Sequence, residues 1–228
     1  LINSPPAVKR PEKGNLLADI PWFKDLDKET FNKIANLFQY RVFAVGEKII
    51  KEQGQTDGLY IIARGNVKVY KNKKLIEVLG KGSIIGEIAT LADTPRTATI
   101  IAESPVSALR LTTISMQQTI QGNKTLEDKL WDIAAPRMAE NILNKNENYK
   151  NTTQKDLKKW LNKGKVIHAR KITNYNCENQ LAIILTGNVI LENNQEAREE
   201  EIIEDNLITL SRNTKIYILP KIHLNSVF

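Results

Sequence analysis

The sequence predicts a mainly β protein with flanking helices, in which an antiparallel jelly-roll barrel is followed by a second, degenerate β-roll. Three observations lead to this prediction. Short β-rich runs fill residues 39–112, glycines interrupt these runs at short intervals, and part of the pattern recurs in the last third of the chain. Many short strands separated by glycine turns, without long helices between them, are typical of antiparallel barrels and jelly rolls.

The composition is that of an ordinary globular protein with a basic surplus. The 228 residues are 41% hydrophobic and 26% charged, with a net charge of +7 and one cysteine, which excludes an internal disulfide. No run approaches the ~18 apolar residues that a membrane-spanning helix needs, and no secretion signal is recognisable, so a cytoplasmic location is expected. The absence of a nucleophile–base pair, a metal cluster or a Gly-Lys-[Ser/Thr] loop argues against an enzyme, a resident cofactor and a metal site.

The elements of the first domain follow in order. Residues 1–13 contain three prolines and predict a flexible linker. A helix comes next, with Asp27 as its N-cap and apolar residues at i, i+3, i+4 and i+7. Those apolar residues are Phe31, Ile34, Ala35 and Phe38. Strands are predicted at 40–45, 47–51, 59–63, 67–70, 74–79, 97–102 and 106–111.

Helical periodicity returns after residue 112. A short helix is predicted to end at Gly122, and a longer one continues an apolar stripe from Leu126 to Leu143. Pro136 is expected to kink or restart that helix, because proline removes a backbone donor and clashes with the preceding turn. The first domain is therefore predicted over residues 14–145.

The last third contains a partial repeat. Residues 59–67 (LYIIARGNV) recur as 181–189 (LAIILTGNV), and a glycine-led strand precedes each copy, at Gly46 and at Gly164. Residues 146–228 are therefore predicted to form the degenerate second β-roll together with a basic linker.

Residues 82–100 carry the most informative pattern. Gly86 allows close approach of a ligand to the backbone, and residues 87–92 form a short run of helix formers, whose N-terminal N–H groups suit an anion. The guanidinium of Arg96 can grip a phosphate with two parallel hydrogen bonds, whereas Glu87 can only accept, which suits a sugar hydroxyl and repels a second phosphate. Donors for one phosphate and an acceptor for one hydroxyl describe a cyclic nucleotide.

The stretch from Gly86 to Thr99 resembles the phosphate-binding cassette of cyclic nucleotide-binding domains. These domains occur in cyclic nucleotide-dependent kinases, gated channels, catabolite-activator-type regulators and some sodium/proton exchangers, and the resemblance extends over about residues 16–143. It implies that Glu87 binds the ribose 2′-hydroxyl and that Arg96 binds the exocyclic phosphate oxygens. It also implies that backbone groups line the phosphate and ribose at Gly86, Ile88, Ala89 and Ala98.

Two further points follow from the resemblance. The hydroxyl of Thr97 can contact either the phosphate or a guanine amino group, so the ligand can be cAMP or cGMP. A residue of the last helix is expected to cover the base, and four candidates remain open: Trp131, Arg137, Met138 and Asn141. The second roll has no matching Gly-Glu…Arg-Thr-Ala pattern, and we expect it to bind no nucleotide.

The predicted function is therefore a regulatory module that senses a cyclic nucleotide and relays its binding through the C-terminal helices to a parent or partner effector protein. The helix around residues 130–143 looks like that of sodium/proton exchanger tails, which implies an ion transporter or channel as parent and a tether to a membrane protein. One alternative is a non-binding interaction scaffold in which Glu87 and Arg96 form an ordinary ion pair. The other is a catabolite-activator-type transcription regulator, although no nucleic-acid partner is expected because β-rich sequence stands where a helix-turn-helix is needed.

Two charged segments lie in the second domain. Residues 145–171 carry the whole positive surplus, and residues 192–205 are strongly acidic. Such blocks are solvated, neutralise each other across a fold, or meet a partner such as an acidic protein or an anionic lipid.

Overall fold

A computed structural model describes residues 13–24 and 26–221, so the predicted linker lies almost entirely outside the described residues. The chain divides into two compact units, residues 1–126 and 127–228. This division falls before the boundary predicted after residue 145, because most of the helix Lys124–Leu143 belongs to the second unit. Among the described residues, no helix combines the length and the hydropathy needed to cross a bilayer.

The first unit begins with short helices and continues as a β-roll. Asp27 caps the second helix as predicted, since its carboxylate accepts a hydrogen bond of 2.9 Å from the backbone N–H of Thr30. The helices are α1 (Lys13–Ala18), a 3-10 turn (Pro21–Phe23), α2 (Lys28–Leu37), α3 (Glu87–Ala92), α4 (Thr113–Gln121) and the start of α5 (Lys124–Leu143). The strands are β1 (Gln39–Phe43), β2 (Lys48–Ile50), β3 (Gly58–Arg64), β4 (Val67–Lys71), β5 (Lys74–Leu79), β6 (Ile84–Ile85), β7 (Thr99–Ala102) and β8 (Val106–Thr112).

These strands form two antiparallel sheets of four, in the orders β1-β8-β3-β6 and β2-β7-β4-β5. A buried apolar core includes Tyr60, Ile62, Val67, Ile85 and Ile100. The seven predicted strands are confirmed, while the two-residue strand β6 was missed. Beyond the roll, α5 runs through Pro136 as a single helix, so the predicted restart at that residue is wrong.

The second unit is a second β-roll of the same construction, which confirms the predicted fold. Helix α6 (Gln154–Leu161) precedes it and buries one apolar face. Its strands are β9 (Lys165–Ala169), β10 (Thr173–Asn176), β11 (Gln180–Thr186), β12 (Val189–Leu191), β13 (Glu196–Ala197), β14 (Ile202–Ile203), β15 (Leu207–Leu210) and β16 (Thr214–Pro220).

The sheets of the second roll repeat those of the first strand for strand. Their orders are β14-β11-β16-β9 and β10-β15-β12-β13, which match β6-β3-β8-β1 and β2-β7-β4-β5. Strand β9 therefore corresponds to β1, because it pairs with β16 as β1 pairs with β8. The sequence analysis places the strand after Gly164 in the position of the strand after Gly46, which is β2. This prediction is wrong by one strand, because β9 corresponds to β1.

The repeated nonapeptide marks the same position in both rolls. Strand β3 has an irregularity of register between Ile62 and Arg64, and β11 has one between Ile184 and Thr186. Each strand ends in a glycine with a left-handed backbone, Gly65 (φ +88°) and Gly187 (φ +85°). At both glycines a Cβ atom would overlap the start of the neighbouring strand, so the turn of each copy requires glycine.

Candidate nucleotide-binding site

The segment joining β6 to β7, residues 86–98, is here called the cassette. Gly86 opens it with φ +78° and serves as the N-cap of α3, and Asp93 ends α3, also with a left-handed backbone. Helix α3 has the bounds predicted from the sequence. Arg96 lies in the loop that precedes β7, which begins at Thr99 and not at residue 97 as predicted.

Arg96 is held inside the roll by three acceptors. Its side chain is 3% exposed. Nη2 donates to Oδ1 of Asp57 at 2.7 Å and to the backbone oxygen of Gly58 at 2.6 Å, while Nη1 donates to the backbone oxygen of Gly86 at 2.8 Å. A buried guanidinium needs such partners, because an uncompensated charge in this environment is strongly destabilising.

Asp57 connects Arg96 to two further side chains. Its Oδ2 accepts a hydrogen bond of 2.7 Å from the hydroxyl of Tyr60 and lies 3.2 Å from Nη2 of Arg110. Burial, assisted by the Asp57 carboxylate, raises the pKa of Tyr60 to about 12, so its hydroxyl remains a donor at neutral pH. Sequence reasoning missed Asp57, since an Asp-Gly pair before a strand is an ordinary turn signal.

Gly86 is required by the position of Arg96. A Cβ atom on Gly86 would overlap Nη1 of Arg96, and the positive φ disfavours any other residue. The backbone oxygen of Gly86 also accepts a hydrogen bond of 2.7 Å from Oγ1 of Thr90, on the second turn of α3. The start of α3 and the arginine are therefore tied to one carbonyl group.

The other predicted site residues surround this arrangement. Glu87 is buried, at 2% exposure, in the first turn of α3. Ala89 is also buried, whereas Ile88, Thr97 and Ala98 are half-buried. The backbone N–H of Gln53 donates to the backbone oxygen of Arg96 at 2.9 Å, which fixes the chain where it returns to β7.

A comparison with protein families matches the same part of the chain. The model of the cyclic nucleotide-binding domain matches residues 40–123, which contain the whole cassette. Residues 40–123, which include β2–β8 and α3 of the first roll, therefore match the cyclic nucleotide-binding domain family.

Similar proteins include kinases and a regulatory-domain structure. A cGMP-dependent protein kinase of Drosophila melanogaster, isozyme 2, is 34% identical over 103 residues, which make up 42% of this chain and 11% of the kinase. A cGMP-dependent protein kinase of Plasmodium berghei is 40% identical over 96 residues, with the same two shares. The solved structure of cAMP-bound PfPKA-R aligns with 92% of this chain and 79% of its own length, at 21% identity and a TM-score of 0.48. The chain spans about a tenth of the length of these kinases.

The second roll differs from the first at the position of the cassette. In the first roll 13 residues, 86–98, join β6 to β7, whereas β14 and β15 are joined only by Glu204, Asp205 and Asn206. The backbone N–H of Cys177 donates to the backbone oxygen of Asn206 at 2.6 Å, much as Gln53 binds Arg96. The second roll therefore keeps the closing hydrogen bond but has neither the helix nor the arginine among its described residues.

The proposed base-covering residues of the nucleotide-binding domain lie on α5, in the second unit. Trp131 and Met138 are buried, and Nζ of Lys215 lies 5.0 Å from the centre of the Trp131 ring. Arg137 and Asn141 are half-buried. The packing of Trp131 within the second unit agrees with a structural role for its side chain.

Helix α5 contacts the second roll through a cluster of charged side chains. Asp128 binds Arg170 at 2.5 Å and lies 3.3 Å from Nδ1 of His168, while Glu127 lies 3.7 Å from Nζ of Lys215. Burial, together with the nearby charge of Lys215, lowers the pKa of His168. Glu127, Asp128 and His168 are close enough to share a metal ion, but two cationic side chains already neutralise the carboxylates.

The two charged segments of the second unit are in contact with each other. Nζ of Lys145, in the basic segment, lies 2.8 Å from the carboxylate of Glu200 in the acidic segment. This contact agrees with the expectation that the two segments partly neutralise each other.

Proposed function

We propose that the first roll binds cAMP or cGMP in its cassette and that the chain acts as a regulatory module. One observation carries the proposal: a buried arginine stands beside a left-handed glycine that opens a short helix, at the position where the family binds its ligand. The site residues proposed are Gly86, Glu87, Ile88, Ala89, Arg96, Thr97 and Ala98.

The chemistry of each proposed site residue suits one part of the ligand. The guanidinium of Arg96 supplies two parallel donors for the exocyclic phosphate oxygens. The carboxylate of Glu87 accepts from the ribose 2′-hydroxyl, and backbone groups of Gly86, Ile88 and Ala89 approach the sugar-phosphate closely. Thr97 offers a hydroxyl to the phosphate or to a guanine amino group, so both cAMP and cGMP remain candidate ligands.

The hydrogen bonds of Arg96 offer a route from the ligand to the C-terminal helices. Arg96 binds the backbone oxygen of Gly58, and Gly58 lies opposite Thr112 in the β3–β8 pairing. Thr112 is the N-cap of α4, and its hydroxyl accepts a hydrogen bond of 3.2 Å from the backbone N–H of Ser115. A phosphate that draws Arg96 away from Gly58 therefore acts on the strand ends that set the first turn of α4.

The response is a shift of population between two arrangements. In the absence of ligand, Asp57 and two carbonyl groups satisfy Arg96; with ligand, the phosphate competes for the same donors. The ligand can displace the equilibrium only by its difference in affinity for the two states, typically a few kcal/mol.

The effector is proposed to be a parent or partner protein in the cytoplasm. The relatives reported above are protein kinases, and the chain covers only the part of them that contains its match. An ion transporter or channel as parent remains a prediction of the sequence resemblance. No catalytic role is proposed for the chain itself, because the matched family is a binding domain.

Calorimetric titration of the whole chain with cAMP and with cGMP tests this function. We expect saturable binding of at least one of them, and we expect Arg96→Ala to weaken it by about 1.5–3 kcal/mol, or roughly 10- to 150-fold. Arg64→Ala is the matched control, because Arg64 is an exposed arginine at the end of β3. Absence of heat with both nucleotides, from a protein with a normal circular dichroism spectrum, contradicts the proposal and favours the non-binding scaffold.

A further inference from the structure

The first roll has an open, apolar sheet edge. Strand β5 is the last strand of the β2-β7-β4-β5 sheet, and every residue except Leu79 is exposed. Leu75, Ile76 and Val78 are 44%, 55% and 49% exposed. The residues of β5, 74–79, are here called the β5 edge. A terminal strand presents main-chain N–H and C=O groups along its outer side, which is a template for pairing with another strand.

The corresponding edge of the second roll is protected. Strand β13 has only two residues, and Ala197, one of them, is buried. Acidic residues at 196 and 199–201 surround it. Short edge strands and charged side chains are the usual means by which proteins prevent unwanted pairing. The same position in the same fold is thus shortened in one roll and left long and apolar in the other.

The hairpin that carries the β5 edge is basic and well ordered. Asn72 and Lys73 both have positive φ, of 49° and 65°, as a two-residue hairpin turn requires. The carboxylate of Glu52 accepts from the N–H of Asn72 at 3.1 Å. Around the edge stand Lys71, Lys73, Lys74 and Lys81, against Glu52 and Glu77.

We propose that the β5 edge is the docking strand for an extended acidic peptide of a partner protein, which adds to the sheet as a fifth strand. Main-chain hydrogen bonds give such a complex its affinity, and alternate side chains give it selectivity. Acidic side chains of the peptide meet the lysines of the hairpin, and apolar ones cover Ile76 and Val78. This surface is separate from the cassette and does not depend on nucleotide binding.

Two other occupants fit less well. An anionic membrane matches the lysines and the apolar side chains, but the main-chain groups of an open strand find no hydrogen-bond partners in lipid. A second copy paired through its own β5 brings two basic hairpins together, and like charges on adjacent strands are destabilising.

The probe is a fluorescein-labelled peptide of ten residues in which glutamate and valine alternate, titrated with the whole chain by fluorescence anisotropy. We expect saturable binding that weakens as salt is added. A peptide of alternating lysine and valine tests the charge requirement. A glutamate–valine peptide with every second backbone nitrogen methylated tests the main-chain requirement, and neither control is expected to bind.

Matched substitutions locate the site. Lys74→Glu and Ile76→Glu each weaken binding, by about fivefold or more, since each places a negative charge beside the acidic peptide and the second also removes an apolar contact. Lys171→Glu and Ile172→Glu make the same changes at exposed positions of the second roll, where Ile172 is 72% exposed, and leave binding unchanged. Hydrogen exchange is expected to slow at residues 74–79 when the peptide binds, which places it on the edge itself.

Three results overturn the proposal. One is no saturable binding of the glutamate–valine peptide up to about 1 mM, together with unchanged exchange at the β5 edge. Another is equal binding of the N-methylated peptide, since strand addition requires those N–H groups. The third is binding of another partner at the edge: either sedimentation with phosphatidylserine vesicles or self-association of the free chain, in each case abolished by Ile76→Glu.

Discussion

At the scale of single residues, the central interaction is between Arg96 and Asp57. The arginine is nearly inaccessible to water, while the Asp57 side chain is 46% exposed, so the carboxylate lies between the buried donor and the solvent. In the proposed binding mode, a phosphate that enters the cassette competes with this carboxylate for the same guanidinium. The proposal therefore makes Asp57 an intramolecular competitor of the ligand.

Asp57→Asn tests this competition. Without the carboxylate, the buried charge of Arg96 is less compensated, so the free energy of unfolding is expected to fall by about 1–3 kcal/mol. An incoming phosphate then restores more compensation than it does in the natural protein, and nucleotide affinity is expected to rise about 3- to 10-fold. Calorimetry and urea unfolding measure the two effects. Glu103→Gln, which removes an exposed partner of Lys68, is the control, and a fall in affinity for Asp57→Asn contradicts the competition.

Gly86→Ala tests the fit of glycine against Arg96. The added methyl group overlaps Nη1 and the backbone at φ +78° resists it, so we expect a loss of more than about tenfold in nucleotide affinity, with destabilisation of about 1–3 kcal/mol. Gly122→Ala is the matched control. Gly122 has negative φ and no neighbour within 4 Å of a Cβ atom, and the same change there is expected to be neutral or slightly stabilising. Equal behaviour of the two variants, measured by calorimetry and thermal melting, excludes the steric explanation.

Some residues of the candidate site could be predicted from the sequence and others could not, for physical reasons. Arg96, Gly86 and α3 were predicted because they follow one another in a short segment whose residue types have few other uses. Asp57 lies 39 positions from Arg96 in the chain, and its contact arises only when β3 and the cassette come together. Long-range pairs of this kind leave no local pattern in one sequence.

At the scale of elements, helix α5 differs most from its prediction. Its apolar stripe predicted a helix, and Leu126, Leu130 and Ala134 are buried as expected. The partner of that stripe was not predictable, because a stripe specifies a buried face and not what covers it. In the structure, Glu127 and Asp128 at the start of the helix join His168, Arg170 and Lys215 of the second roll.

The stability of the second unit is expected to fall at acidic pH because of His168. Its pKa is lowered in the folded state by burial and by the charge of Lys215, with Arg170 adding to the effect and Glu127 and Asp128 opposing it. The unfolded state therefore binds the proton more readily. Stability is full above the unfolded-state pKa of about 6.5 and is lost as the pH falls below that value and through the folded-state pKa.

Urea unfolding at pH 7.5 and at pH 5.5 measures this loss. A Trp22→Phe background leaves Trp131 and Trp160, both in the second unit, as fluorescent reporters. His168→Gln, which cannot be protonated, is expected to reduce the difference between the two pH values. A difference that the substitution leaves unchanged assigns the pH dependence to other groups.

At the scale of the whole molecule, two rolls of one topology differ in the link between two strands. The repeat in the sequence was enough to predict the second roll, because its glycine turn and the run of buried residues before that turn lie at matching positions. The match of the earlier strands was wrong, because a glycine before a short β-rich run does not specify which strand follows it. The pairing of β9 with β16 gives the correct assignment. Which two strands pair cannot be read from the sequence of one strand alone.

One nucleotide per chain is the expected stoichiometry. The second roll joins β14 to β15 through three residues, too few for a helix that opens on a glycine and ends before an arginine. Arg212→Ala, which removes an arginine from the turn between β15 and β16, is expected to leave affinity and stoichiometry unchanged. Two equivalents of nucleotide bound in calorimetry, or one equivalent that survives Arg96→Ala, contradict this expectation.

The identical strand order of the two rolls gives the protein an internal reference for experiments. Ligand-induced slowing of amide exchange in β1–β8 can be compared with the corresponding amides of β9–β16 in the same sample, under the same pH, temperature and labelling time. Any change of solution conditions acts on both sets of strands, whereas direct contact with a nucleotide acts on the set that contains the cassette. The ratio of the two exchange rates at matching positions thus separates recognition from general stabilisation within one measurement.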